Sequence, residues 1–223
     1  MKIRRNLILA ITAFGCLCMG LVDAVIQPGY VAKSAIKLVL FLVLPVLYAI
    51  FDKGCNLKRL FIPNKKGLLI AAACGLGVYG VILGGYYLLG GFFDFSALTS
   101  SLSSSTGVNK DNFLFVALYI SFANSLLEEF FFRGFAFLTL KRVSGKTLAY
   151  IASSLLFALY HVAMMIGWFS LPLLLLVLLG LFVGGVIFCF FNERYDNIYL
   201  SWLIHMFANF AINTIGMILF AAQ

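Results

Sequence analysis

Apolar residues run along this chain in seven long stretches, and polar residues fall mainly between them. A helix needs about 20 apolar residues to cross a membrane, and most of the stretches reach that length. The predicted spans are residues 7–26, 35–51, 67–90, 112–140, 147–166, 171–191 and 198–220. Because only helices and closed barrels satisfy every backbone group in lipid, this pattern predicts an all-α, polytopic bundle of about seven transmembrane helices.

The composition supports a membrane protein. Hydrophobic residues make up 63% of the chain, charged residues 11%, and the mean hydropathy is +1.07. Soluble globular domains carry about 25% charged residues, so this balance excludes that class. The spans and short loops account for nearly all of the sequence, which predicts a single membrane domain over residues 1–223. Its five cysteines are scattered and odd in number, which argues against a disulfide framework.

Positive charges other than Arg133, which lies within a span, predict the orientation of the bundle. Twelve of them lie on one side, against three on the other, Lys33, Lys37 and Lys110. The twelve are Lys2, Arg4, Arg5, Lys53, Lys58, Arg59, Lys65, Lys66, Lys141, Arg142, Lys146 and Arg194. By the positive-inside rule the N-terminus is cytoplasmic. The net charge of +8 thus reflects topology, so we expect membrane lipid as the surroundings and no nucleic-acid partner.

Two further patterns concern the loops and the helix packing. Residues 91–111 are rich in glycine, serine and phenylalanine and predict an outer loop that could hold an interfacial helix. Gly180 and Gly184 have the small-xxx-small spacing that lets membrane helices approach closely. Neither pattern indicates a catalytic residue.

Ionisable residues inside the spans indicate a functional site. Glu128 and Glu129 are adjacent within one span, and the only two histidines of the chain, His161 and His205, lie in two others. A carboxylate at membrane depth costs several kcal/mol unless it is paired, solvated or neutralised. From the helical rise, Glu128, His161 and His205 lie about 20, 22 and 12 Å from the cytoplasmic ends of their spans. Three helices therefore offer rare polar groups at overlapping depths.

The two glutamates are predicted to have different roles. Glu129 and Arg133 are four residues apart, so they can form an ion pair on one helix face. Glu128 lies about 100° further around the helix, which leaves it without a local partner. A lone carboxylate in a low-dielectric cavity has a raised proton affinity, which suits a general base. The alternative is a buried packing network that contains all three residues.

The histidines and asparagines also admit two interpretations. His161 could orient a water molecule with Glu128, bind a metal, or be a satisfied structural histidine. His205 and Asn209 share a face of the last span, and donors that converge on one point can stabilise the oxyanion of amide hydrolysis. The alternative is a hydrogen bond between helices, worth about 1 kcal/mol in a membrane. Asn124 and Asn213 could serve either role.

Three blocks of these residues resemble the motifs of one family. They are Glu128-Glu129-x-x-x-Arg133, Phe157-x-x-x-His161 and His205-x-x-x-Asn209. In this order, on successive apolar spans, they resemble the CAAX prenyl protease 2 / Abi (CPBP) intramembrane endopeptidases. The resemblance covers about residues 112–210.

The resemblance implies a function and roles for the site. It implies an all-helical endopeptidase, with a cavity open toward the cytoplasm, that cleaves a membrane-associated or prenylated-type protein or peptide. It also implies that Glu128 and His161 activate water, that His205 with Asn209 stabilises the oxyanion, and that Glu129, Arg133 and Phe157 support them. In bacterial relatives the purpose is peptide maturation, bacteriocin immunity or assistance to other membrane machinery, and we expect a bacterial cell membrane here.

The metal requirement is left open by the sequence. Members of the family are often labelled metalloproteases, and zinc would take Glu128, His161 and His205 as ligands. The adjacent glutamates face different directions on a helix, which argues against both serving one ion. We therefore favour water activated by glutamate without a metal.

Two other functions remain open at this point. One is a proton- or cation-coupled transporter that uses Glu128 as a relay, although the sequence contains no internal repeat of the kind that many transporters have. The other is a non-enzymatic scaffold or immunity protein that keeps the motifs for folding.

Overall fold

The computed structural model describes residues 1–52, 54–95 and 108–221. Within these ranges seven helices are long and apolar enough to cross a membrane, as predicted. They are α1 (Lys2–Ile26), α2 (Tyr30–Phe51), α3 (Lys65–Phe92), α4 (Phe113–Ser144), α5 (Lys146–Met165), α6 (Leu171–Tyr195) and α7 (Tyr199–Ala221). Most of the predicted outer loop, including any interfacial helix at 96–107, lies outside the described residues.

Helix α2 begins earlier than predicted. It begins at Tyr30 rather than at residue 35, after a turn in which Gln27 adopts a left-handed conformation (φ 45°) and is followed by Pro28. Proline disfavours a helical conformation at the residue before it, which fits the break between α1 and α2 at this point. The earlier start places Lys33 inside a membrane helix instead of in a loop, and it places Lys37 about two turns from the start of that helix.

Helix α4 occupies the centre of the bundle. Its segment Glu129–Thr139 is π-helical and entirely buried, and it contacts α1, α2, α5 and α6. The phenylalanines of this segment belong to the main hydrophobic core, with Phe131 stacked on Phe41 of α2 at 4.0 Å between ring centroids. A second π-helical turn spans Ile120–Asn124. π-Helical segments are rare and occur often at functional sites.

Small residues let helices approach, though not at the predicted pair. A Cβ added at Gly75 of α3 would lie 2.3 Å from the Phe207 ring of α7, so only glycine fits there. A Cβ at Gly180 or Gly184 would meet no described atom within 4 Å, so the predicted close approach at these two residues is wrong. One residue further, at Gly185, α6 does lie close to α4 and α5.

Candidate active site

Glu128 is the centre of a buried hydrogen-bond cluster. Its side chain lies on α4 and the residue is 2% exposed. One carboxylate oxygen, Oε1, accepts hydrogen bonds from Lys37 Nζ at 2.5 Å, Asn124 Nδ2 at 3.0 Å and the Tyr160 hydroxyl at 3.2 Å. The expectation that Glu128 has no local partner is therefore wrong: helix α2 supplies a cation, and α5 supplies a hydroxyl.

Lys37 belongs to this cluster and not to the outer loop charges. It is 5% exposed, and its ammonium also donates to Asn124 Oδ1 at 2.5 Å. The same nitrogen lies 5.0 Å from the centroid of the Tyr160 ring, a distance at which a cation is attracted to the ring face. Without Lys37 the predicted outer side keeps two of its three positive charges, so the charge asymmetry that predicts the orientation is unchanged.

The second oxygen of Glu128 is free of hydrogen bonds from the described residues. Oε2 lies 3.7 Å from His205 Nε2 of α7, which is beyond hydrogen-bond distance. The carboxylate is thus held on one side and open on the other. An oxygen with a free lone pair is what a general base requires.

Glu129 binds the other nitrogen of the same histidine. His205 Nδ1 donates to Glu129 Oε1 at 3.0 Å, since a carboxylate can only accept. The same oxygen lies 3.5 Å from Arg133 Nη1, so the predicted pair between Glu129 and Arg133 is present. The two glutamates do face different directions, yet they meet opposite edges of one imidazole.

Arg133 is completely buried beneath aromatic rings. Its guanidinium lies 4.0 Å from the centroid of Phe157 and 4.9 Å from that of Phe188. A Cβ at Gly185 would lie 3.2 Å from Arg133 Nη2, so the glycine provides space for the guanidinium. Delocalised charge and cation–π contact make arginine the cation that tolerates such a site best.

Phe157 connects the arginine with both histidines. Its ring makes edge contacts with His161 at 4.8 Å and with His205 at 5.8 Å between centroids. Its backbone carbonyl accepts a hydrogen bond from His161 Nδ1 at 2.7 Å. Phe157 thus contacts both histidines near Glu128, and its supporting role in the site stays a prediction.

The hydrogen bond to Phe157 also defines the state of His161. Because a carbonyl only accepts, Nδ1 carries the proton, and in a neutral ring Nε2 keeps its lone pair. His161 follows the regular part of α5, Lys146–Tyr160, and interacts electrostatically with Glu128. The lone pair on Nε2 can accept a hydrogen bond from water.

Asn209 does not join His205 in this arrangement. Its Nδ2 donates to the carbonyl of Ile120 at 3.3 Å, and one turn further Asn213 donates to Ala117 O at 3.2 Å. Both carbonyls belong to the stretch of α4 that contains the π-helical turn. The amides of α7 thus bind backbone oxygens of α4, and one hydrogen of the Asn209 amide remains for another acceptor.

The residues do not form a metal site of the kind considered from the sequence. Among the described residues no group of three His, Cys, Asp or Glu side chains is arranged to hold a metal ion. At Glu128 the Lys37 ammonium already neutralises Oε1, and both nitrogens of His205 face carboxylates. The predicted zinc ligands Glu128, His161 and His205 therefore do not fit zinc here.

Neighbouring helices shield the centre of the site. Glu128 and His205 are buried, and the part of α4 that follows Glu128 packs within the hydrophobic core with its phenylalanines. The cavity open toward the cytoplasm that the resemblance implies stays a prediction. A cavity of about 30 Å³, lined by Asp23, Lys33 and Trp168, lies at the predicted outer side. That volume is enough for about one water molecule.

The sequence missed two members of this cluster, Lys37 and Tyr160. A lysine inside an apolar stretch was the available signal for the first, because buried cations in membranes need a partner. For Tyr160 the signal was weaker, since it is a tyrosine that immediately precedes the motif histidine.

The fold and site define a polytopic membrane protein with a buried carboxylate–histidine centre. Residues 110–211 match the family described as type II CAAX prenyl endopeptidase Rce1-like, which confirms the resemblance carried by the three motifs. The matched segment contains every residue of the site except Lys37. The match points to a peptidase of the CAAX type. Neither the curated proteins nor the solved structures contain a significant match to this chain.

Proposed function

We propose that this protein is an intramembrane endopeptidase that hydrolyses a peptide bond of a membrane-associated or prenylated-type protein or peptide, with Glu128 as the general base. The observation that supports this most is the asymmetry of the Glu128 carboxylate. Oε1 is held by three donors, while Oε2 faces the space beside His205. The family match to residues 110–211 supplies the reaction class.

Water activation falls to Glu128 and His161. A water molecule beside Oε2 gives its proton to that oxygen as it attacks the carbonyl carbon of the scissile bond. His161 Nε2 accepts the second hydrogen of the water, and the bond from Nδ1 to Phe157 fixes the ring for that purpose. After the tetrahedral intermediate forms, Glu128 passes the proton to the leaving nitrogen.

The oxyanion is stabilised from α7. In its doubly protonated form His205 carries a proton on Nε2 as well as on Nδ1. Nε2 lies 3.7 Å from Glu128 Oε2, beyond hydrogen-bond distance, so this proton is available to a substrate oxygen beside the ring. Because Nδ1 is anchored on Glu129, the ring is oriented before the reaction, which is the preorganisation that such a donor needs. The remaining amide hydrogen of Asn209 is the proposed second donor.

Substrate binding requires the helices to separate. The catalytic groups are buried, so a peptide reaches them only when α7 or α2 moves away from α4. A lateral opening of this kind admits segments that already lie in the membrane, which fits a membrane-associated substrate. The proposed hydrolysis uses neither zinc nor another cofactor.

The test is a comparison of two glutamate variants in bacterial membranes. Glu128→Gln keeps the shape and removes the base, whereas Glu193→Gln changes the one glutamate outside the site, which is bound by Lys141, Lys146 and Tyr150 at the end of α6. Mass spectrometry of membrane peptides from both strains identifies a substrate that accumulates uncut. We expect accumulation with Glu128→Gln and none with Glu193→Gln.

The same experiment decides between the proposed function and its alternatives. A scaffold or immunity protein keeps its function in Glu128→Gln, because shape and hydrogen bonding survive. A transporter is favoured by the two ion pairs between Asp23 and Lys33 and between Lys37 and Glu128. It predicts proton-gradient-dependent flux in liposomes and no cleaved peptide. Retained proteolysis in Glu128→Gln would exclude Glu128 as the base.

A further inference from the structure

We propose that Lys37 is a positioning residue of the active site, and that its ammonium holds Oε1 of Glu128 so that Oε2 is presented, as an ionised base, to the reaction centre. This inference rests on the proposed function. Lys37 lies on α2, about 70 residues before the segment that matches the family (110–211), so neither the family match nor the three motifs assign it a role.

The geometry around Lys37 is a closed triangle. Its Nζ donates to Glu128 Oε1 and to Asn124 Oδ1, both at 2.5 Å, and Asn124 Nδ2 donates to the same Glu128 oxygen at 3.0 Å. This arrangement fixes the amide orientation of Asn124, because its oxygen must face the ammonium. Lys37 therefore sets the position of one carboxylate oxygen directly and again through Asn124.

The positive charge of Lys37 has a second effect, which is on the protonation of Glu128. A carboxylate with no cation nearby is unstable in a low-dielectric interior and takes up a proton. An ammonium in contact with Oε1 opposes this and keeps Oε2 able to accept a proton from water. Titratable or charged groups of every neighbouring helix act on Glu128: Lys37 on α2, Tyr160 and His161 on α5, His205 on α7, and the adjacent Glu129 on α4 itself.

Lys37 is the only one of these groups that is a fixed cation in direct contact with the carboxylate. The neighbouring lysine of α2, Lys33, lies one turn earlier and forms its ion pair with Asp23. Lys33 has no contact with Glu128 among the described residues. This difference makes Lys33 a matched control for the removal of a lysine from α2.

The first experiment measures pH–rate profiles of purified enzyme on the peptide identified with Glu128→Gln. Lys37→Met keeps the length of the side chain and removes the charge, Lys37→Arg keeps the charge, and Lys33→Met is the control. We expect the acidic limb of kcat to move up by about one to three pH units in Lys37→Met, with KM nearly unchanged. In Lys37→Arg and Lys33→Met we expect a limb close to that of the wild type.

The second experiment does not depend on activity. Thermal unfolding in detergent is measured for Lys37→Met, Glu128→Gln and the double variant, because each single change leaves a buried group without its ionic partner. We expect the double variant to unfold at a higher temperature than either single one. This cycle remains informative if Lys37→Met alone folds poorly, because the double variant removes both charges.

The outcomes separate this inference from the proposed function. An unshifted acidic limb in active Lys37→Met, or additive stability losses in the double variant, would overturn the role of Lys37 while Glu128 stays the base. Absence of cleavage by the wild-type enzyme overturns the proposed function and with it any positioning role, even if the stability cycle shows the ion pair.

Discussion

His205 and Glu129 are joined by a hydrogen bond of 3.0 Å that links the last membrane helix to the central one. The same carboxylate oxygen lies 3.5 Å from Arg133. Glu129 therefore orients the proposed oxyanion donor and balances a buried guanidinium at once. This double use explains why a second glutamate directly follows the proposed base.

Replacement of Glu129 by glutamine is expected to destabilise the protein. The change leaves Arg133 buried without its counter-ion, and loss of one partner of a buried ion pair costs about 3–5 kcal/mol. The measurement is thermal or denaturant unfolding in detergent, with Glu193→Gln as the control near the helix end. Equal stability of Glu129→Gln and Glu193→Gln would show that Arg133 does not depend on Glu129.

Phe157→Leu is expected to weaken both the fold and the site. The variant removes the ring beneath Arg133 at 4.0 Å, and a desolvated cation–π contact contributes about 2 kcal/mol. It also removes the edge contacts to both histidines, so kcat should fall with the stability. Phe190→Leu, at a surface-exposed position of α6, should change neither quantity. Wild-type stability of Phe157→Leu would contradict the supporting role.

The sequence predicted the helices and the motif residues for a common physical reason. Apolar runs of span length have few alternatives to membrane helices, and all seven helices begin within five residues of their predicted starts. Glu129 and Arg133 were paired correctly because a spacing of four within one helix is a local relationship. Orientation of the bundle and the catalytic roles stay predictions.

Contacts between helices could not be predicted from the spacing of residues within each helix. Lys37 and Glu128 are 91 residues apart, and nothing in the periodicity of either helix indicates that they meet. The π-helical segment Glu129–Thr139 was also missed, because the depth and angle estimates assumed 3.6 residues per turn. The partner of Glu128 had to be found in the packing.

Asn209 and Asn213 offer a test of the oxyanion assignment. Both donate to backbone oxygens of α4, so alanine at either position should lower the stability of the protein by a similar amount. Hydrogen bonds between membrane helices contribute about 0.6–1.7 kcal/mol. If Asn209 also binds the oxyanion, Asn209→Ala should lose a further ~100-fold in kcat, whereas Asn213→Ala should not. Equal kinetics of the two variants would leave His205 as the donor without Asn209.

Chelators are expected to leave the activity unchanged. One carboxylate oxygen of Glu128 is bound by Lys37, Asn124 and Tyr160, and no three-ligand set exists among the described residues. Purified enzyme is incubated with 1,10-phenanthroline or EDTA, and cleavage is compared before and after zinc is added back. Loss of cleavage that zinc restores would refute this expectation.

Tyr160→Phe is expected to have a small effect that separates the three donors of Oε1. The hydroxyl contact of 3.2 Å is the longest of the three, and Lys37 and Asn124 remain when it is removed. A hydrogen bond to a charged group contributes about 1.5–3 kcal/mol, and a long one contributes at the lower end. We therefore expect kcat/KM to fall roughly tenfold.

The pH–rate profile of Tyr160→Phe is compared with that of Lys37→Met. Tyr160→Phe removes a neutral donor, so the rate should fall evenly at all pH values. Lys37→Met removes a charge, so its deficit should shrink as the pH rises. Parallel pH–rate profiles of the two variants would show that hydrogen-bond number matters at Glu128 and charge does not. Divergent profiles would show that the Lys37 ammonium acts through its charge and that the Tyr160 hydroxyl acts by positioning the carboxylate.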